Sequence, residues 1–336
     1  MILHRRWGSD PVLIAALSIL LLGLFAASLS IGYARLDLWT ALSDLRAGRS
    51  SLDTLVLLEL RLPRAILGAA VGFSLGATGA AMQGLMRNPL ADPGVIGVSG
   101  AAALGAVLTF YFGLSAAFAL ALPLGGLAGA GLATALLLAL ARRGTGTATL
   151  ILAGVALNSL AGALTALALN LAPSPYAALE VVFWLMGSLT DRTLQHVALA
   201  LPFMMLGWGL VLSTRRAMDA LTLGEDTAAT LGFSMRRVRL LVIAGTAAAV
   251  GASVAVAGAI GFVGLVVPHL LRPLVQNRPG RLLLVSGLAG GALTLGADIA
   301  VRLIPTRPEL KLGVVTALIG APFFFAMLRH LKADNE

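Results

Sequence analysis

Three consecutive segments decide the fold: AILGAAVGFSLGATGAAMQGL (Ala65–Leu85), MRNPLADPGVIG (Met86–Gly97) and VSGAAALGAVLTFYFG (Val98–Gly113). The first and third carry no charged residue. A helix rising about 1.5 Å per residue needs about 20 such residues to cross roughly 30 Å of hydrocarbon. The middle segment cannot continue a helix, because Pro89 and Pro93 remove backbone donors and clash with the preceding turn. Gly94 eases the return of the chain, and Arg87 and Asp92 are expected to hold the turn in water. Two membrane spans joined by a stiff polar turn account for the whole stretch.

The same pattern runs through all 336 residues, of which 58% are hydrophobic and 12% charged. Soluble domains carry about 25% charged residues. The chain therefore reads as an all-α integral membrane protein, and the short alternating segments of a transmembrane barrel are absent from the sequence. Apolar runs lie near 11–33, 65–86, 95–113, 115–141, 150–172, 196–214, 240–260, 262–276, 282–303 and 313–331, the eighth of them short. They predict about ten spans in one compact bundle, a single domain over 1–336. The first run, Pro11–Tyr33, is longer than the apolar core of a signal peptide, about 7–15 residues, and reads as a span.

Charge sets the orientation. With the N-terminus inside, 15 of the 24 Lys and Arg fall in cytoplasmic segments, against 7 of the 15 acidic residues. Cytoplasmic enrichment of basic residues supports both termini inside. The basic residues are scattered between spans rather than gathered in a stripe, which argues against nucleic acid. No cysteine is present, so disulfides, thiolate metal sites and thiol nucleophiles are excluded. Only two lysines occur, Lys311 and Lys332, each after leucine, so no Gly-Lys-Ser/Thr phosphate loop exists. If ATP drives this protein, another polypeptide hydrolyses it.

Gly68, Gly72 and Gly76, Gly125 and Gly129, and Gly287 and Gly291 sit four apart, the spacing that lets helix backbones approach closely in lipid. The longest polar inner segment, 215–239, contains LTLGEDTAATLG (Leu221–Gly232). Glu225 and Asp226 after Gly224 favour a helix start, Ala228, Ala229 and Leu231 an apolar face, and Gly232 a stop. Two short helices flanked by arginines read as a docking platform or as an ordinary basic loop. On the outer side, Glu59, Arg61 and Arg64 in LELRLPRAIL, and Asp298, Arg302, Arg307, Glu309 and Lys311 in ADIAVRLIPTRPELK, oppose the general charge bias. They meet either the interface, with an Asp298–Arg302 pair at i, i+4, or an acidic partner. Asn158 and Asn170 in the fifth span read as interhelical hydrogen-bonding groups, and His269 after Pro268 as a histidine in a kinked helix satisfied by backbone. Ser99 in Gly-Val-Ser-Gly with His269 leaves an intramembrane protease as a minor reading, and Asp298 a proton-coupled carrier.

Taken in order, RLPR (61–64), RNPLADPGVIGVSGAA (87–102), FWLMGSL (183–189), LTLGEDTAATLG (221–232), GAIGFVGLVVPHLLR (258–272), ADIAVR (297–302) and LGVVTALIGAPFF (312–324) resemble the FecCD-type permease subunit of ABC importers for iron-siderophores, haem and cobalamin. The resemblance implies a translocation path between two permease copies, most simply a homodimer, in the cell inner membrane. It implies Asn88 and Leu90 as gate residues, and Thr147 as a second gate position, where Ala148 departs from a relative's serine. Leu223, Gly224, Glu225, Asp226, Ala228, Leu231 and Gly232 match the segment that docks two cytoplasmic ATPase subunits. Arg61, Arg64 and Arg302 match outward arginines that pair with glutamates of an extracytoplasmic substrate-binding protein. Lys311 departs from a common proline. No cofactor, metal site or catalytic residue is implied in this chain, since the partner ATPase uses the ATP. The implied cargo is iron-siderophore or haem, with cobalamin as the alternative.

Overall fold

The computed structural model describes residues 10–32, 36–118, 120–142, 146–304, 306 and 308–333. All regular secondary structure among them is helical, with no strand. In chain order the helices are α1 (Asp10–Ser30), α2 (Leu38–Arg46), α3 (Leu52–Leu55), α4 (Leu62–Met86), α5 (Val98–Tyr111), α6 (Ala121–Arg142), α7 (Thr147–Asn170) and α8 (Pro175–Leu185). They continue as α9 (Leu194–Ser213), α10 (Arg215–Leu221), α11 (Glu225–Thr230), α12 (Met235–Ala257), α13 (Val263–Leu271), α14 (Pro279–Leu303) and α15 (Leu312–Ala333).

Among the described residues, seven helical segments are long and apolar enough to cross a membrane: α1, the continuous rod Leu52–Met86, α6, α7, α9, α12 and α14. Three shorter apolar helices accompany them, namely α5, α8 and Leu312–Phe325 of α15. The run expected as the short eighth span is α13, nine residues long. At about 1.5 Å per residue it rises some 13 Å, less than half the hydrocarbon thickness. The rod Leu52–Met86 has 35 residues, about 50 Å, so its first turns project beyond the hydrocarbon.

Local sequence sets the ends. Ser174 accepts the Ala177 N–H ahead of Pro175 in α8, and Ser234 accepts the Arg237 N–H at the start of α12. Thr193 and His196 form a reciprocal cap on α9, satisfying donors that otherwise have no intrahelical acceptor. Within the spans, hydroxyls bond back to their own helix, as Ser74 does to the Ala70 carbonyl and Ser253 to that of Ala249. Trp208 Nε1–H instead crosses to Ser74 Oγ at 2.9 Å, tying α9 to α4.

Burial ranks the helices. In their most apolar windows 83% of the Leu52–Met86 rod, 78% of α12 and 67% of α14 is buried, against 6% of α1 and 17% of α7. The rod, α12 and α14 form the centre, and α1 and α7 lie at the periphery. The extensive α4–α14 interface is built on the predicted glycines. A Cβ on Gly72 would stand 2.2 Å from the Gly290 carbonyl oxygen, and one on Gly76 2.0 Å from that of Ser286. Gly125 and Gly129 serve the α5–α6 contact in the same way, facing the backbones of Gly105 and Ala101. Close backbone approach replaces the hydrophobic drive that lipid does not supply.

Candidate functional site

The Arg87–Gly97 turn begins at the inner end of α4. Arg87 closes that helix in the left-handed conformation (φ 48°). The Asn88 side-chain oxygen accepts the Leu90 N–H at 2.9 Å, so the two gate candidates form one hydrogen-bonded turn of the kind asparagine supports. Asn88 is exposed and Leu90 half-buried. Asp92 Oδ1 then accepts the Gly94 N–H at 2.7 Å and starts the short helix Pro93–Ile96.

Asp92, expected to stand in water, is half-buried at the mouth of a cavity. Pro93 packs on Gly264 of α13, which in turn meets the backbones of Leu75 and Gly79. Leu75 lies 11 residues before the end of α4, about 16 Å along the helix. The chain after Leu90 therefore climbs back into the bundle, which leaves α5 short. Asp92 and Ser99 line a cavity of about 150 Å³ that Gly258–Gly261 close from the other side. Those residues are the unwound link between α12 and α13, where Gly258 (φ 71°) and Phe262 (φ 67°) are left-handed. Irregular backbone at this depth is tolerated where it is buried in protein or lines a cavity.

At the outer end, Arg61, Arg64 and Arg302 come together but do not face outward as expected. Arg61 and Arg302 are only 5% and 6% exposed. Arg61 Nη1 donates to the Leu29 and Ser30 carbonyls at 2.8 and 2.6 Å, and Arg302 Nη1 to those of Ser28 and Ile31 at 2.9 and 2.6 Å. The last carbonyls of α1 have no partner within the helix, and two guanidiniums supply it. Asp298 is fully buried between Arg302 at 3.0 Å, the predicted i, i+4 pair, and Arg64, whose Nη2 lies 2.8 Å away. Glu309 takes the other edge of Arg64, and Thr190 Oγ1 donates to Glu309 at 3.3 Å. Inward rotation follows from this arrangement: a buried carboxylate and a helix end must be satisfied where water is scarce. In the neighbouring turn, burial lowers the Arg192 guanidinium from its ordinary value, with Asp191 offsetting part of the effect. Arg307 lies outside the described residues.

At the inner side, α10 and α11 are the two short helices expected in the long loop. Gly224 (φ 103°) and Gly232 (φ 91°) bracket α11 in conformations that a side chain disfavours. Leu223 and Leu231 are 64% and 58% exposed, an apolar pair on a water-facing segment. Asp226 is exposed beside them, and Glu225 pairs with Arg239 at 2.7 Å. Ala228 departs from the expected surface: it is fully buried and seats α11 on its own chain.

Polar groups in the spans divide differently from expectation. Asn158 and Asn170 are exposed on α7 and make no hydrogen bond among the described residues, so the interhelical bond within one chain is corrected. His269 is not satisfied by backbone: its buried Nδ1 has no hydrogen-bond partner among the described residues, and the ring stands edge-on to Phe323 at 6.2 Å. No hydrogen bond joins Ser99 to His269 among the described residues. Thr147 is the first residue of α7, and its side chain, like Gly144 and Thr145, lies outside the described residues.

A helical bundle of seven long apolar helices and three shorter ones, roughly the ten expected, matches known proteins along nearly its whole length. The model of the FecCD transport family covers residues 19–330. The chain belongs to this family. It is 42% identical over 313 residues to the vitamin B12 import system permease BtuC of Vibrio cholerae, covering 93% of each chain. It is 37% identical to the Fe(3+) dicitrate transport system permease FecD of Escherichia coli, covering 95% of this chain and 99% of the relative. Among solved structures, a chain described as a metal-chelate type ABC transporter in an inward-facing conformation superposes with a TM-score of 0.83 at 30% identity. The match covers 95% of this chain and 99% of that one. The family member described here is thus a multi-pass membrane permease of an ABC importer.

Sequence reasoning missed four parts of the site. They are the capping of α1 by Arg61 and Arg302, the second carboxylate on Arg64, the cavity at Asp92 and Ser99, and an Arg272–Gln83 bond at 2.7 Å between α13 and α4. A lone glutamine in an apolar span was the available signal for the last.

Proposed function

We propose that two copies of this chain form one translocation path for a bulky metal chelate, with residues 1–336 acting as a single permease domain in the cell inner membrane. The exposed mid-span asparagine of α7, Asn158, carries this reading. A side chain that needs hydrogen bonds, on an open face of a hydrocarbon-spanning helix, calls for water or a second protein surface. A path between two copies supplies both. Asn88, Leu90 and Thr147 narrow its inner end. Two ATPase subunits dock on Leu223, Asp226 and Leu231, while Gly224, Glu225, Ala228 and Gly232 shape the platform. A substrate-binding protein meets the outer cluster, with its carboxylates competing with Glu309 for Arg64. Arg61 and Arg302 support that surface from beneath.

Relatives named for vitamin B12, ferric dicitrate and siderophore support the cargo class. We favour iron-siderophore or haem, and the 42% identity to cobalamin permeases supports cobalamin as the second reading.

The chain has no cysteine, so Asn158→Cys gives a single-cysteine protein directly. The expected result is labelling by a membrane-impermeant thiol reagent and a dimer on treatment with a short bismaleimide. A cysteine that reacts only with lipid-soluble reagents and yields no dimer overturns the path. Uptake into proteoliposomes with the cognate ATPase and binding protein, compared among the three cargoes, assigns the substrate.

A further inference from the structure

Where α14 begins, beside the peripheral helix α1 and the end of α9, lies a cavity of about 720 Å³. Its apolar wall includes Ile14, Leu212 and Leu284, and its rim carries Arg215, Arg216 and Arg281. The depth follows from the elements. Ile14 is in the second turn of α1, Leu212 is the penultimate residue of α9, and Leu284 is in the second turn of α14. Three span ends meet here, so the cavity sits at the boundary between hydrocarbon and water. The apolar wall is on the membrane side and the arginines are at the helix ends.

Two charges of the rim, Arg215 and Arg216, are left open. Asp219 is the one acid among its lining residues, and its Oδ1 already accepts the Gly280 N–H at 2.9 Å. Arg215 and Arg216 are exposed, and neither forms an ion pair among the described residues. A soluble anion satisfies the rim and leaves the apolar wall wet, while a neutral apolar molecule does the reverse. A phosphate joined to acyl chains satisfies both halves, and the volume falls within the range of about 300–1,000 Å³ usual for small-molecule sites. Basic pockets between membrane helices on the cytoplasmic side suit anionic head groups.

We propose that this cavity holds an anionic phospholipid of the cytoplasmic leaflet. Its phosphate lies against Arg215 and Arg216, and its chains run along Ile14, Leu212 and Leu284. The site shares no lining residue with the proposed gate and is tested without transport.

The purified full chain is titrated by native mass spectrometry with cardiolipin, phosphatidylglycerol or phosphatidylethanolamine, and with inorganic phosphate or glycerol phosphate as competitors. Each basic residue near an anionic surface is worth roughly a fivefold change, so R215Q/R216Q is expected to lose about 30-fold in affinity for one anionic lipid. R215K/R216K keeps the charges and is expected to retain that lipid. Leu284→Trp fills the apolar half and is expected to weaken lipid retention with the arginines intact. Elution volume in size exclusion shows that each variant is folded. Equal lipid retention by wild type and R215Q/R216Q overturns the proposal. So does competition by free phosphate at the lipid's own concentration, which identifies a soluble anion. Loss of ATPase-subunit binding with lipid retention unchanged overturns it in favour of a protein contact.

Discussion

Gly76→Ala adds one methyl group at the tightest point between α4 and α14. The new Cβ would lie 2.0 Å from the Ser286 carbonyl oxygen, where ordinary contact starts near 3.4 Å. The obstacle is backbone and cannot rotate away, so α14 must retreat by about 1.4 Å locally. A gap of about 0.5–1 Å already forfeits a quarter to a half of a dispersion contact. The neighbouring Gly72–Gly290 approach, at 2.2 Å for the same construction, shares that retreat. Overpacking costs about 1–3 kcal/mol where side chains can yield, so the upper figure applies here. Alanine regains about 1 kcal/mol of helix propensity, leaving a net loss of about 2 kcal/mol. At about 2–4 °C per kcal/mol for a large domain, Tm is expected to fall by roughly 4–8 °C. Trp208 is a built-in fluorescence reporter, since its indole bonds Ser74 on the same helix. Gly209→Ala is the control: nothing lies within 4 Å of its added Cβ, so only the propensity gain remains. A Gly76→Ala protein as stable as Gly209→Ala refutes the reasoning.

Asp298→Asn leaves the buried Arg64 and Arg302 short of a counter-charge, and about 3–5 kcal/mol of stability should be lost in thermal unfolding. Leu223→Asp with Leu231→Asp should abolish co-elution with the ATPase subunit while shifting stability by less than about 0.5 kcal/mol, because both side chains are exposed. At the inner turn, Asp92→Asn keeps an acceptor for the Gly94 N–H and should stay close to wild type, whereas Asp92→Ala loses that cap at a cost of about 0.5–2 kcal/mol. Equal stability of the two Asp92 variants removes the structural role given to that carboxylate.

The sequence made the spans legible because hydrocarbon imposes length and apolarity on every crossing segment. Gly72 and Gly76 were readable for a similar reason, since their spacing already encodes a face. The Asp298–Arg302 pair followed from helical periodicity alone. The direction of Arg61 and Arg302 did not, because their partners are carbonyls of α1, and backbone groups leave no trace in residue types. The climb of Asp92 into the bundle was hidden for another reason. Pro93 finds its place against Gly264, a contact between distant segments that neither segment announces. Asn158 and Asn170 were recognised as polar groups in need of partners, but periodicity could not say whether those partners lay in the same chain.

The outer end of α1 is finished by residues the ribosome supplies late. Arg61 arrives some thirty positions after the carbonyls it caps, and Arg302 reaches Ser28 across 274 positions. The outer tip of α1 is therefore held first by Arg61 and fastened fully only after α14 has been translated. A nascent chain arrested before α14 should carry α1 with that tip held by Arg61 alone.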